Sequence, residues 1–244
     1  MAINMLDFEE LDYQKTPLGE ISLRRRAEPR LEGTIIYEVK LGDEFLMSSL
    51  FPEAEIQLAN IGLGELDGDS WDVVVGGLGL GYTAAAALKH TRTQSLLVID
   101  VMEAVIDWHQ RNIVPLGKEL TSDPRCRLVH ADFFEVASNS KMGFYLDSPE
   151  KLAHAVLLDI DHTPSHWLNP QNSTFYTADT LRQMVNKIHP GGIFGLWSDA
   201  PPDTGFIELL NSVFASSEAH IINFPNPYTR GESSNTIYLA RTKK

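Results

Sequence analysis

Apolar and polar positions change their rhythm near residue 70. Before it, LGEISLRRR, TIIYEVK and EFLMSS read as β structure, which predicts three strands between residues 18 and 50, with Gly42-Asp43 as a two-residue hairpin turn. The next stretch, EAEIQLANIGL, carries apolar residues at helical spacing (Ala54, Leu58, Ile61) and runs out at Gly62 and Gly64. That predicts a bridging helix over 53–63.

From Trp71 onward short apolar runs alternate with amphipathic stretches, the pattern of βαβ units around a parallel sheet. Strands are predicted at 71–75, 95–99, 127–130, 154–158, 193–197, 220–224 and 236–240, with helices over 82–90, 102–113, 178–189 and 204–214. Pro190-Gly191-Gly192 reads as a helix stop and a turn into the fifth strand. The last two strands are joined by NFPNPYTRGESSN, which has no helical pattern. A parallel crossover needs a dozen or more residues and usually a helix, so this pair is expected to be an antiparallel hairpin. The expected architecture is an α/β fold with a mostly parallel seven-stranded sheet, its one reversed strand at the edge. Residues 53–244 would form this domain, and residues 1–52 a small N-terminal β region.

Composition narrows the function classes. At 244 residues and 43% apolar the chain can bury a large core, and its single cysteine, Cys126, cannot close an intrachain disulfide. No apolar run approaches the roughly 20 residues of a membrane helix, and the acidic opening MAINMLDFEELDYQK lacks the order of a secretory signal. A cytoplasmic location and no membrane partner are expected. A net charge of −13 opposes attraction to phosphate backbones and weakly favours cationic small molecules. Nucleic acid is thus disfavoured but stays open, because Arg24-Arg25-Arg26 could touch RNA; its expected role is a solvated strand edge.

The strongest local signal is VVVGGLGLG, a buried strand running into a turn that holds Gly76, Gly77, Gly79 and Gly81, followed by the helix YTAAAALKH. Glycines let a backbone approach a ligand with no Cβ in the way, and the helix start offers free N–H groups. The second strand ends in Asp100-Val101, where a carboxylate can accept both hydroxyls of a ribose. After the third strand stand Asp132 and Phe133, suited to an adenine amino group and its ring face, or, for Asp132, simply to capping the next turn.

At the end of the fourth strand comes LLDIDHTP. Asp159 at the strand tip could orient an amine or take its proton, with Asp161, His162 and Trp197 as candidate substrate contacts. Because Pro164 breaks the helix that would align His162 with His166, no metal is expected.

These pieces together resemble the spermidine synthase family, the polyamine aminopropyltransferases, from about Trp71 to the C-terminus. The matching segments are VVVGGLGLG, LLVID, DPRCRLVHAD, LLDIDHTP and FYTADTLRQMVNKIHPGGIFGLW. The resemblance implies a Rossmann-like class I S-adenosylmethionine-dependent methyltransferase fold and a transferase that binds S-adenosylmethionine or its decarboxylated form. It assigns the ribose to Asp100, the adenine to Asp132 and catalysis to Asp159, with a small-molecule amine as acceptor and a homodimer left open. Gly79 stands where the family carries an aspartate that holds the donor's amine, and the family's second aspartate maps to Asp161 or His162. LLDIDHTPSHWLNP also looks like a segment of tRNA-modifying methyltransferases. Methyl transfer to a small molecule or RNA, and nucleoside binding without catalysis, are therefore the alternatives.

Overall fold

The computed structural model describes residues 8–244; the first seven residues of the acidic opening lie outside the described part. Four antiparallel strands come first, β1 (Glu9–Thr16), β2 (Gly19–Glu28), β3 (Thr34–Leu41) and β4 (Glu44–Ser48), paired in chain order. Hydropathy predicts only three of them. β1, EELDYQKT, has no apolar alternation and is held by its backbone ladder to β2.

Helix α1 (Glu53–Gly64) leads into the larger unit. Its elements are β5 (Trp71–Gly76), α2 (Tyr82–Lys89), β6 (Thr93–Asp100), α3 (Glu103–Gln110), α4 (Gly117–Ser122), β7 (Cys126–His130), α5 (Phe133–Ser138), β8 (Ala153–Leu158), α6 (Ala178–Val185), β9 (Ile188–Ser198), α7 (Thr204–Val213), β10 (Ser216–Asn226) and β11 (Gly231–Arg241). The sheet order is β10-β11-β9-β8-β5-β6-β7, and β11 runs antiparallel to both of its neighbours.

The reversed strand is therefore not at the edge, as expected, but second from it. Burial explains the insertion. In β11 the run Thr236 to Ala240 is buried throughout and needs a strand on each side, whereas β10 is exposed or half-buried at every position except Phe224 and tolerates the rim. Pro190-Gly191-Gly192 also falls inside β9 rather than before it. Pairing with β8 jumps there from Ala153↔Ile188 to Ala155↔Ile193, a bulge that Gly191 allows at φ +77°.

One apolar core covers each face of the large sheet. Ile21, Leu23, Val39 and Leu41 of the small sheet join the core that contains Leu58 of α1 and Leu80 of the glycine turn. At about 1.5–3 kcal/mol for each fully buried aliphatic side chain, that junction clamps the small sheet over the carboxyl ends of β5 and β6. A polar tie reinforces it: Arg26 is held by Glu28 at 2.6 Å, Glu38 at 2.8 Å and the Tyr228 hydroxyl, in the β10–β11 connection, at 2.9 Å. The arginine run thus belongs to an internal strand of its sheet, and Arg26 is engaged within the protein rather than free at a solvated edge. Among the described residues no helix is long and apolar enough to cross a membrane.

Candidate active site

A cavity of ≈ 410 Å³ lies between the small sheet and the carboxyl edge of the large one, a size ordinary for small-molecule sites. That edge is where open α/β sheets hold ligands. Of the residues picked from sequence, Gly77, Gly79, Asp100, Val101, Asp132, Phe133, Asp159, His162 and Trp197 line it, while Gly76, Gly81 and Asp161 do not.

The glycine turn is built differently from the expectation of free N–H groups. Gly77 N donates to Ile99 O, Leu78 N to Asp100 Oδ2 at 2.8 Å, and Gly81 N to Leu78 O. Leu80 N points at the Met47 thioether at 2.9 Å. From below, His109 Nε2 meets Gly79 O at 3.0 Å, and burial lowers the pKa of the ring. The turn is therefore closed by the protein's own groups. The glycines are required by proximity: a Cβ on Gly77, at φ +94°, would sit 2.0 Å from Asp159 O, and one on Gly76 would strike the Phe133 ring at 2.5 Å. On Gly79 it would meet Met47 Sδ, so β4 fills the space that the family's aspartate would need.

Asp100 accepts from Leu78 N and from Met102 N at 2.7 Å, with Gly79 N as a further donor. Burial raises its pKa while these backbone bonds oppose the rise. An ionised carboxylate has about four acceptor positions, so little of this one is left for a ligand. Val101 beside it is 41% exposed and offers an apolar rim. Asp132 Oδ1 caps α5 through Phe134 N at 2.8 Å and Glu135 N at 3.2 Å, which is the capping alternative, and Oδ2 is left free of both bonds. Phe133 is 1% exposed and stacks on Phe144 with ring centroids 5.8 Å apart. It is a core side chain first, and Val101 presents more surface for a base to lie on.

Under β8 the balance is reversed. Asp159 takes a hydrogen bond from the Thr83 hydroxyl at 2.7 Å, and burial raises its pKa. Beside it Glu55 of α1, 6% exposed, has an Oε2 with no hydrogen-bond partner in the protein. Burial first, and then the charge of Asp159, push its pKa well above the usual carboxylate range. Sequence reasoning missed Glu55, although it sits on the same helical stripe as the buried Leu58, Ala59 and Gly62. An acid on an apolar stripe was the available signal.

Asp161, two residues from Asp159, is 3% exposed and turned inward. It accepts from Leu168 N at 2.9 Å, Asn172 Nδ2 at 2.8 Å and the Tyr176 hydroxyl at 2.8 Å, and so organises the loop after β8 instead of facing the cavity. His162 does face it, standing between Glu44 at 2.8 Å and Asp199 at 3.6 Å. Trp197 forms part of the wall, with a buried Nε1 that has no partner. The cavity lining thus holds Glu55, Asp100, Asp132, Asp159 and Asp199 with no lysine or arginine. Among the described residues no group of three or more metal-ligating side chains is arranged to hold an ion.

A small antiparallel sheet over a seven-stranded sheet with its reversed strand inserted second from the edge is an α/β fold shared with solved spermidine synthase structures. The solved structures that this chain resembles include the spermidine synthase from Thermotoga maritima, with a TM-score of 0.70, 15% identity, and coverage of 95% of this chain and 72% of that one. A spermidine synthase in complex with the transition state analogue AdoDATO matches with the same values. No protein-family model matches the sequence, and no curated protein matches it.

Proposed function

We propose that the chain is a transferase that takes an S-adenosylmethionine-type sulfonium nucleoside, preferentially the decarboxylated form, and alkylates an amine. One observation carries this reading: a cavity at the carboxyl edge of the sheet lined by five carboxylates and no lysine or arginine. Such a site attracts a sulfonium and an ammonium and opposes a donor that keeps its own carboxylate. The neighbour that holds a transition state analogue at the same fold supports it.

The residues fit such a donor by charge and position. Asp132 Oδ2 and the remaining acceptor capacity of Asp100 would take the base and sugar, with Val101 against the ring. When bound, the donor supplies an electrophilic carbon on its sulfonium: the amine forms the new C–N bond as the C–S bond breaks, methylthioadenosine departs, and one proton must leave the nitrogen. Asp159 holds the attacking amine and accepts that proton; Thr83 fixes its carboxylate. Glu55 adds negative charge where the ammonium arrives.

The site also carries a feature favouring a second reading, methyl transfer from intact S-adenosylmethionine. Gly79 brings no carboxylate for a donor amine, and Met47 fills the space beside it. Calorimetric titration with methylthioadenosine, decarboxylated S-adenosylmethionine and S-adenosylmethionine separates the two. The decarboxylated donor should bind at least about tenfold tighter than the intact one, a difference of about 1.4 kcal/mol. The reverse order would move the assignment to a methyltransferase, and binding of none of the three would remove the transferase reading.

A further inference from the structure

We infer that the acceptor is an amine with a single charged head and an apolar aliphatic or aromatic body, gripped at its head by Glu55 and Asp159. This rests on the transferase reading above and goes beyond it by naming the acceptor.

The sheet order divides the cavity. Asp100 and Asp132 stand at the ends of β6 and β7, on the nucleoside side, whereas Asp159, Trp197 and Phe224 belong to or directly follow β8, β9 and β10, on the far side. On that far side Asp159 and the buried, unpartnered Oε2 of Glu55 form one acidic patch whose side-chain donor is the Thr83 hydroxyl on Asp159. A buried carboxylate without a partner is costly, and an ammonium is the ligand group that removes the cost. Burial holds both acids toward their protonated forms, and for Glu55 the charge of Asp159 adds to it, which describes the same lack of partners in electrostatic terms.

The rest of the far side has no second patch of this kind. Asp161 spends its acceptors on Leu168 N, Asn172 and Tyr176, and Asp199 faces the His162 ring together with Glu44. The other lining residues are mostly apolar, with Ser48, Asn169, Asn172 and Asn235 as polar members. Phe51 packs on Phe224 with centroids 5.6 Å apart, Trp197 adds its indole, and Phe45 stands 47% exposed at the rim. A diamine would set its second ammonium against these rings, where the cavity-lining carboxylate of Asp199 already stands 3.6 Å from His162 Nδ1, while a hydrocarbon body would bury its surface there.

The test is calorimetric, on the full chain, with methylthioadenosine and then amines added to the saturated protein. Hexylamine and 2-phenylethylamine should bind at least about tenfold tighter than 1,4-diaminobutane, and each methylene from butylamine to hexylamine should gain about fourfold. Glu55→Gln should weaken all four amines and leave methylthioadenosine unchanged. Phe45→Asp, at an exposed rim position, should shift the preference toward the diamine. Methylthioadenosine binding followed by tighter binding of 1,4-diaminobutane, or by equal binding of all amines, would overturn the inference while leaving the transferase reading standing. Absence of methylthioadenosine binding would instead overturn that reading, and this inference with it.

Discussion

The two halves of the cavity use carboxylates in opposite ways. Under β6, Asp100 gives most of its acceptor capacity to backbone donors from the glycine turn and from Met102, so its main work is to hold the turn in shape. Under β8, Asp159 has one hydroxyl donor and Glu55 Oε2 has none. The protein satisfies the carboxylate that shapes its backbone and leaves the pair under β8 short of partners. Binding capacity at this site is therefore better read from missing partners than from the number of acids.

The sharpest break in this comparison is Asp159→Ala. Transfer should fall by about 10²–10⁴-fold in a steady-state assay with the best donor, because the group that positions and deprotonates the amine is gone. Melting should show a folded protein; a variant that keeps near-normal turnover would remove Asp159 from the chemistry. Asp100→Ala should act on stability instead. It strips partners from buried backbone N–H groups, and urea denaturation should register a loss of about 2–3 kcal/mol. An unchanged midpoint would mean that water replaces the carboxylate and that the two halves are more alike than their hydrogen bonds suggest.

Glu55→Gln should move stability in the other direction, increasingly as pH rises above the ordinary carboxylate range. The folded-state pKa of Glu55 is raised from the ordinary 4.5 to about 8, by burial and then by Asp159, so between those values the folded chain holds a proton that the unfolded chain has released. Stability of the ligand-free protein must then fall as pH rises through that window. Melting temperatures at pH 5, 7 and 9 should show the fall in wild type and a shallower one in Glu55→Gln. Parallel curves would show Glu55 to be already ionised and paired. The same logic predicts that an amine cation binding at pH 7 expels protons, because it favours the charged carboxylates; calorimetry in buffers of different ionisation enthalpy reads their number.

The smallest effect concerns the closed turn. Gly79→Ala places a Cβ on Met47 Sδ at a residue with φ +46°, and should cost about 1–3 kcal/mol. Met47→Ala in the same chain should recover the steric part but not the backbone part. Additive losses in the double mutant would show that β4 does not press on the turn.

The fold was largely legible because burial on both faces of a parallel strand leaves a continuous apolar run, and the seven runs from Trp71 to Ala240 each became a strand. β1 was not legible because its side chains carry no apolar alternation, and α5 was hidden in a segment of only six residues. Neighbours of β11 could not be read either. A hairpin states that two strands are antiparallel and says nothing of which one docks on β9; that was decided by the fully buried stretch Thr236 to Ala240 finding cover on both sides.

At the site the division is similar. The chain by itself determined which acids end which strands, since strand length and turn chemistry are local properties, and so Asp100, Asp132 and Asp159 could be placed at one sheet edge before any coordinates. Only the tertiary structure decided which of them are spent. Met47, His109 and Glu55 reach the site from other elements, 32, 30 and 24 residues away in sequence from Gly79, and whether a carboxylate keeps a free lone pair depends on those arrivals. Hydrogen-bond saturation is a property of what surrounds a group in space, and local sequence carries no record of it.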